Sequence, residues 1–245
     1  MTESAVVVAG DWHGSQSAAR SVLQRARARG VSVVLHVGDL NVRAGGGRTS
    51  IVRMIDSVAG KAGLRVLVSP GNHDDWDVVD AAPLDDDGLH VLGRRVRAVP
   101  RGARFTIGGR RFGALGGAVS VIGPRRRGAR WWPQEVVTAE HVRRLGTEPL
   151  DVLLTHDAPA GVPLHSGYIP AIDAIADAAA LRARLHAAVR RTCPRLLFCG
   201  HWHTYLTHDL PHDRGVCTVH VLDREHRPGN AVVLDLTTMN VEVLP

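Results

Sequence analysis

The residues of this 245-residue chain best suited to chemistry are aspartate, asparagine and histidine, and they stand in five short groups. These are Asp11-Trp12-His13, Gly38-Asp39, Gly71-Asn72-His73-Asp74, Thr155-His156-Asp157 and Gly200-His201-Trp202-His203. Asp11, Asp39, Asn72, His13, His156, His201 and His203 together offer oxygen and imidazole nitrogen, with no thiolate among them. That mixture suits Mn, Fe or Zn and is too rich in nitrogen for a Ca or plain Mg cage. Seven donors exceed one tetrahedral shell. They fit two divalent ions sharing a carboxylate, about 3.5–4 Å apart, as two-metal hydrolases require.

Each group follows a short apolar run. Ala5–Ala9 leads to Asp11, Val31–Val37 to Asp39, Leu64–Val68 to Asn72, Asp151–Thr155 to His156 and Arg195–Cys199 to His201. Between them, Ser15–Arg29 carries Ala18, Val22, Leu23 and Ala26 at helical spacing, and Thr49–Ala59 carries Ile51, Val52, Ile55 and Val58. Pro133–Leu145 and Ala171–Arg191 read as further helices. Gly88–Val121 reads as antiparallel hairpins, with Gly108-Gly109 as one turn, and Val216–Leu222, Ala231–Leu236 and Val241–Leu244 close the chain as strands. Apolar strands alternating with helices predict an α/β sheet buried on both faces. The carboxyl ends of such strands gather on one edge, where ligands bind. With no repeat and no low-complexity linker, residues 1–245 are expected to form one domain.

Composition narrows the setting. Apolar residues make up 44% and charged residues 22%, which excludes a disordered, collagen-like or coiled-coil chain. Of 30 basic residues only Lys61 is lysine. From Gly88 to Gln134 there are eleven arginines and no acid, so the formal +6 divides into +11 in that segment and −5 elsewhere. A basic wall that attracts an anionic, phosphorylated substrate is the expectation, with nucleotide or nucleic acid as candidates. Cys193, Cys199 and Cys217 form no CxxC pair and their number is odd; the amino terminus lacks a signal-peptide pattern, and no stretch is apolar enough to span a bilayer. A cytoplasmic protein without membrane attachment is expected; the oligomeric state is not set by the sequence. Trp12, Trp76 and Trp202 flank the motifs and are expected to pack around the site rather than stack on an aromatic leaving group.

In their order, Asp-x-His, Gly-Asp, Gly-Asn-His-Asp, a strand-end His and Gly-His-x-His make the chain resemble the calcineurin-like metallophosphoesterases. The resemblance runs from Asp11 to His203. It implies a four-layer α-β-β-α sandwich, two mixed sheets flanked by helices. It also implies one metal on Asp11, His13 and His203, another on Asn72, His156 and His201, and Asp39 bridging both. A hydroxide between the metals would be the nucleophile, His73 the general acid, and Asp74 the group orienting its imidazole. Gly38, Gly71 and Gly200 are expected to let the backbone turn at the strand ends. In the protein-phosphatase branch, Gly-Asp-x-x-Asp-Arg-Gly and Arg-Gly-Asn-His-Glu are usual. Here Val42 replaces the second Asp, Pro70 the Arg and Asp74 the Glu, while Arg43 keeps the phosphate-binding position. Because an Arg fork suits the free oxygens of a phosphomonoester, phosphatase activity is the leading expectation. A phosphodiesterase or nuclease comes second, suggested by the basic segment and the nearby Trp residues. A scaffold that has lost catalysis comes third, disfavoured because all seven donors and His73 are present.

Overall fold

Valine-rich runs build the centre of the molecule, because β-branched side chains suit strands buried on both faces. The computed structural model describes residues 3–45, 50–121, 131–164 and 172–245, with side chains from 175 onward in the last stretch. Its strands are β1 (Ala5–Ala9), β2 (Val33–His36), β3 (Arg65–Val68), β4 (His90–Val91), β5 (Val96–Ala98), β6 (Arg104–Ile107), β7 (Arg110–Leu115), β8 (Val152–Thr155), β9 (Leu196–Cys199), β10 (Leu206–His212), β11 (Gly215–Val221), β12 (Ala231–Asp235) and β13 (Val241–Val243). The helices are α1 (Gln16–Ala28), α2 (Ile51–Ala62), α3 (Trp76–Ala81), α4 (Ala139–Leu145) and α5 (Ile172–Thr192).

The strands form two mixed sheets, ordered β13-β12-β1-β2-β3-β5-β4 and β10-β11-β9-β8-β7-β6. In the first, β1, β2, β3 and β5 are parallel, with β12 and β4 antiparallel to their neighbours. In the second, β7, β8, β9 and β11 are parallel, and β6 and β10 are the antiparallel edges. Side-chain alternation sorts each strand between two cores. Val6 and Val8 join Leu35, Phe112, Leu154 and Phe198 between the sheets. Val7 and Ala9 face outward with Leu23 of α1 and Ile55 of α2. Leu153 and Leu197 of the second sheet pack on Leu181 and Leu185 of α5. The result is the expected four-layer α-β-β-α sandwich.

Several local expectations are corrected. The segment 88–121 holds two antiparallel hairpins as read, β4–β5 and β6–β7, the second turning at Gly108-Gly109, but the two belong to different sheets. Strand β5 pairs in parallel with β3 and β7 in parallel with β8, so the chain passes from one sheet to the other between them. Pro133–Leu145 is two pieces, a 3₁₀ turn at Pro133–Glu135 and then α4. Val136 is extended there, Val137 is buried, and Thr138 restarts the helix by accepting the His141 N–H at 3.3 Å. Helix α3, capped by Asp75 accepting the Val78 N–H, is too short for periodicity to reveal. Strand β10 contains Pro211, which an edge strand tolerates and a sequence reading penalises.

Five of the described arginines of 88–134 make side-chain contacts that serve the fold. Among the seven described, Arg101 donates to the carbonyls of Gln134 and Val136 and lies 4.0 Å from the Trp76 ring. Arg104 reaches the carbonyls of Leu145 and Pro149, Arg97 pairs with Asp85 at 2.6 Å, and Arg111 with Asp151 at 3.3 Å. Arg110 ties the two sheets together, with Nε on the Leu236 carbonyl (2.6 Å) and Nη2 on that of Thr237 (2.8 Å). Arg125, Arg126, Arg127 and Arg130 lie outside the described residues. Charge-assisted bonds of this type are worth about 1.5–3 kcal/mol each. Arg110→Ala is therefore expected to lower the unfolding free energy by about that amount, measured by denaturant titration, while leaving KM unchanged; a raised KM at unchanged stability would return this arginine to the substrate.

Candidate metal centre

At the carboxyl edge of the first sheet the loops after β1 and β2 are sewn together. The Asp11 N–H donates to the Gly38 carbonyl at 3.0 Å, and the His13 N–H to the Asp39 carbonyl at 2.8 Å. From the second sheet, the His201 N–H donates to both oxygens of Asp11 at 3.1 Å. These bonds hold an unusual backbone: Asp11, His13, Asp39, His201 and His203 all have positive φ, between 44° and 68°. Each costs on the order of 1 kcal/mol relative to an ordinary conformation.

The loops bring all seven donors together in two groups. In one, the donor atoms of Asp11, His13 and His203 lie within 4.8 Å of one another, and in the other those of Asp39, His156 and His201 do. Asn72 joins the second, its Oδ1 3.1 Å from His156 Nε2. Asp39, 1% exposed, stands between them, with Oδ2 3.4 Å from His13 Nε2 and Oδ1 3.2 Å from His156 Nε2. His156 Nδ1–H donates to the Val37 carbonyl at 2.8 Å, so its Nε2 faces Asp39 and Asn72. His156 Nε2, Asp39 Oδ1 and Asn72 Oδ1 converge closely enough to share one cation, a metal ion or the proton of the imidazole. The donor chemistry therefore fits a bound metal, and titration reflects the same convergence. Burial pushes both His13 and His156 downward, but Asp39 outweighs it and raises them to about 9 and about 10. Burial pushes Asp39 up, yet His156 and His13 hold it well below the usual carboxylate range. Burial alone dominates elsewhere, taking Asp11 to about 7, His201 to about 3 and His203 to about 4.

A second ring of groups aims these donors, and the sequence reading did not find it. The Asn72 amide donates to Ser120 Oγ at 3.2 Å, and Ser120 donates to buried Glu135 at 2.7 Å, which turns Asn72 Oδ1 toward His156. Glu225 Oε2 accepts from His13 Nδ1 at 2.9 Å. Glu225 follows the carboxyl end of β11, at the same edge as the five motifs, a signal that marks its position but not its partner. Buried His36, neutral because burial takes it to about 3, lies behind Asp39 with its ring 4.4 Å from Trp12. Of the three glycines, only Gly38 needs a positive φ (+110°); the other two are needed for space. A Cβ on Gly71 would sit 2.2 Å from Asp39 Oδ1, and one on Gly200 1.8 Å from Asp11 Oδ2.

The remaining site residues are placed as follows. His73 is half-buried at the mouth, its ring 6.0 Å from that of His13 and its N–H donating to Asp39 Oδ1 at 2.8 Å. Asp74 differs from expectation: both its oxygens are occupied by backbone, accepting the Val42 and Gly71 N–H groups at 2.8 Å. It braces the two loops instead of orienting the His73 ring. Arg43 is also engaged with protein, donating to the His73 carbonyl at 2.6 Å and lying 5.1 Å from the Trp132 ring. A groove of about 860 Å³ opens beside it, lined by Arg43, Arg53, Asp56, Asp77 and Trp132 and by none of the seven donors. Trp12 and Trp76 are buried in the core, and half-buried Trp202 donates to Asp157 at 2.8 Å.

Gly200→Ala is expected to displace the Asp11 carboxylate, lowering metal retained after dialysis and costing about 1–3 kcal/mol of stability by overpacking. Wild-type metal content and stability in that variant would refute the spatial argument.

The calcineurin-like phosphoesterase family profile matches residues 4–205. Among solved structures, TT1561 of Thermus thermophilus is similar in fold at 16% identity and TM-score 0.58, covering 99% of this chain and 98% of that one. A dimetal phosphatase from Danio rerio aligns at 12% identity and TM-score 0.47 over 95% and 92% of the two chains. No curated protein matches. The profile spans every donor, on strand ends that the fold places at one edge, and the chain belongs to the calcineurin-like phosphoesterase family, metal-dependent hydrolases of phosphoesters.

Proposed function

We propose that this chain hydrolyses phosphomonoesters at a dinuclear centre. Asp11, His13 and His203 hold one metal, Asn72, His156 and His201 the other, and Asp39 is shared. The observation that carries this reading is the Asp39 carboxylate, whose two oxygens face nitrogen donors of the two groups at 3.4 and 3.2 Å. Two divalent ions, Mn first and Fe or Zn as alternatives, supply Lewis acidity toward the phosphoryl oxygens and a lowered pKa for water.

The chain's own groups do the rest. His73 protonates the leaving oxygen. Burial pushes its imidazole below the ordinary value, which makes the protonated ring a stronger acid. Asp74 keeps the Asn72-His73 loop fixed to the Val42 loop. Arg43, on the His73 carbonyl, places a positive charge beside the mouth that favours a dianionic monoester. The second reading, a phosphodiesterase acting on nucleotide or nucleic-acid diesters, is favoured by one observation: the Arg43 Nη1 bond to backbone leaves less of the guanidinium for a fork on two phosphate oxygens.

The inter-sheet core supports action as one domain. The buried thiols of Cys199 and Cys217, the latter pushed by burial up to about 12, support a reducing, cytoplasmic setting. No helix among the described residues is long and apolar enough to cross a membrane.

The test uses protein reconstituted with Mn and assayed on phenyl phosphate and a bis-aryl phosphodiester. A monoester preference that shrinks in Arg43→Ala is expected, and a diester preference retained in that variant would reverse the ordering. Asp39→Asn is expected to lower bound metal below two ions per chain. Turnover should fall by more than the roughly 10–100-fold that loss of an outer partner costs. Two ions at full occupancy in Asp39→Asn would overturn the shared role.

A further inference from the structure

The loop 222–230, between β11 and β12, lies beyond the residues matched by the family profile, yet it is fastened to the loop that carries Asp11 and His13. The Glu225 N–H donates to the Asp11 carbonyl at 3.0 Å. His226 Nε2 lies 3.1 Å from Ser15 Oγ and 3.3 Å from Ser17 Oγ, and the Asn230 amide donates to the Gly10 carbonyl at 3.1 Å. These contacts deliver the Glu225 carboxylate to His13 Nδ1 at 2.9 Å, on the ring edge opposite the Nε2 that faces Asp39.

The two histidines beside Asp39 are thus aimed differently. His156 is held through Nδ1 by the Val37 carbonyl, a backbone group built into the sheet. His13 is held by a side chain 212 residues away. An imidazole whose Nδ1–H is held by an acceptor offers its Nε2 lone pair in a fixed direction, and outer partners of this type tune metal affinity.

We propose that Glu225 is the positioning residue of the Asp11–His13–His203 pocket. It fixes the tautomer and direction of His13, so the affinity of that pocket depends on a loop outside the family-matched region while the Asn72–His156–His201 pocket does not. The inference rests on the ligand assignment proposed above.

The test is titration of chelator-stripped, full-length protein with Mn²⁺ by calorimetry, together with steady-state kinetics and thermal melts of the stripped protein. In Glu225→Ala, one of two binding steps is expected to weaken about 10- to 100-fold, with the other unchanged. kcat should fall, KM should stay within about twofold, and the melting temperature of stripped protein should match wild type. Glu225→Gln, whose amide oxygen still accepts Nδ1–H, is expected to recover most of that affinity. Wild-type affinity at both steps in Glu225→Ala would overturn the proposal. So would equal weakening of both steps with a lowered melting temperature, or a Gln variant no better than Ala. His203→Ala separates the two readings. If it leaves both steps intact, the ligand assignment fails; if it removes one step while Glu225→Ala changes nothing, only the role of Glu225 fails.

Discussion

The constraint on which the rest of this structure depends is the burial of the Asp39 carboxylate. An ionised carboxylate 1% exposed is costly unless paired and hydrogen-bonded. Here His13, His156 and the His73 N–H surround it. Nearby features follow from that one requirement. Gly71 keeps the space a side chain would take from Asp39, and Gly38 leaves room for the His156 ring. Asp74 closes the loop that presents the His73 amide by accepting two further backbone bonds.

The donors are divided between the sheets. Loops of the first sheet contribute Asp11, His13, Asp39 and Asn72, and those of the second contribute His156, His201 and His203. Each pocket takes residues from both, so neither sheet alone holds a complete set. Their separation is set by the inter-sheet core, where Phe112 and Phe198 meet the valines and leucines of β1 and β2. Close packing of that layer is what gives the donors a fixed geometry.

The centre was legible because its signals are local: a short apolar strand followed within a few residues by Asp, Asn or His. The family resemblance added the division between two metals, and all seven donors do meet. Long-range partners were not legible. Nothing near His13 in sequence points to Glu225, and Ser120 and Glu135 stand 48 and 63 residues from Asn72. Charge counting is incomplete for a related reason. A run of arginines fixes net charge but not what each guanidinium touches, and the carbonyls that receive Arg101, Arg104 and Arg110 are invisible in a charge sum. Arg43 and Asp74 also hold backbone groups that spacing alone did not reveal, since tight loops engage their polar side chains with nearby backbone.

The left-handed backbone at five donor positions has a bearing on amino-acid choice. Asp, Asn and His are the non-glycine residues most tolerant of positive φ. They are also the oxygen and imidazole donors that hard and borderline cations accept. Loop conformation and coordination chemistry therefore select the same small alphabet. A glutamate or cysteine would be as competent toward zinc, yet neither has the short polar side chain that eases a left-handed turn. The candidate donor set is in that sense selected by two independent demands, coordination chemistry and the Ramachandran map.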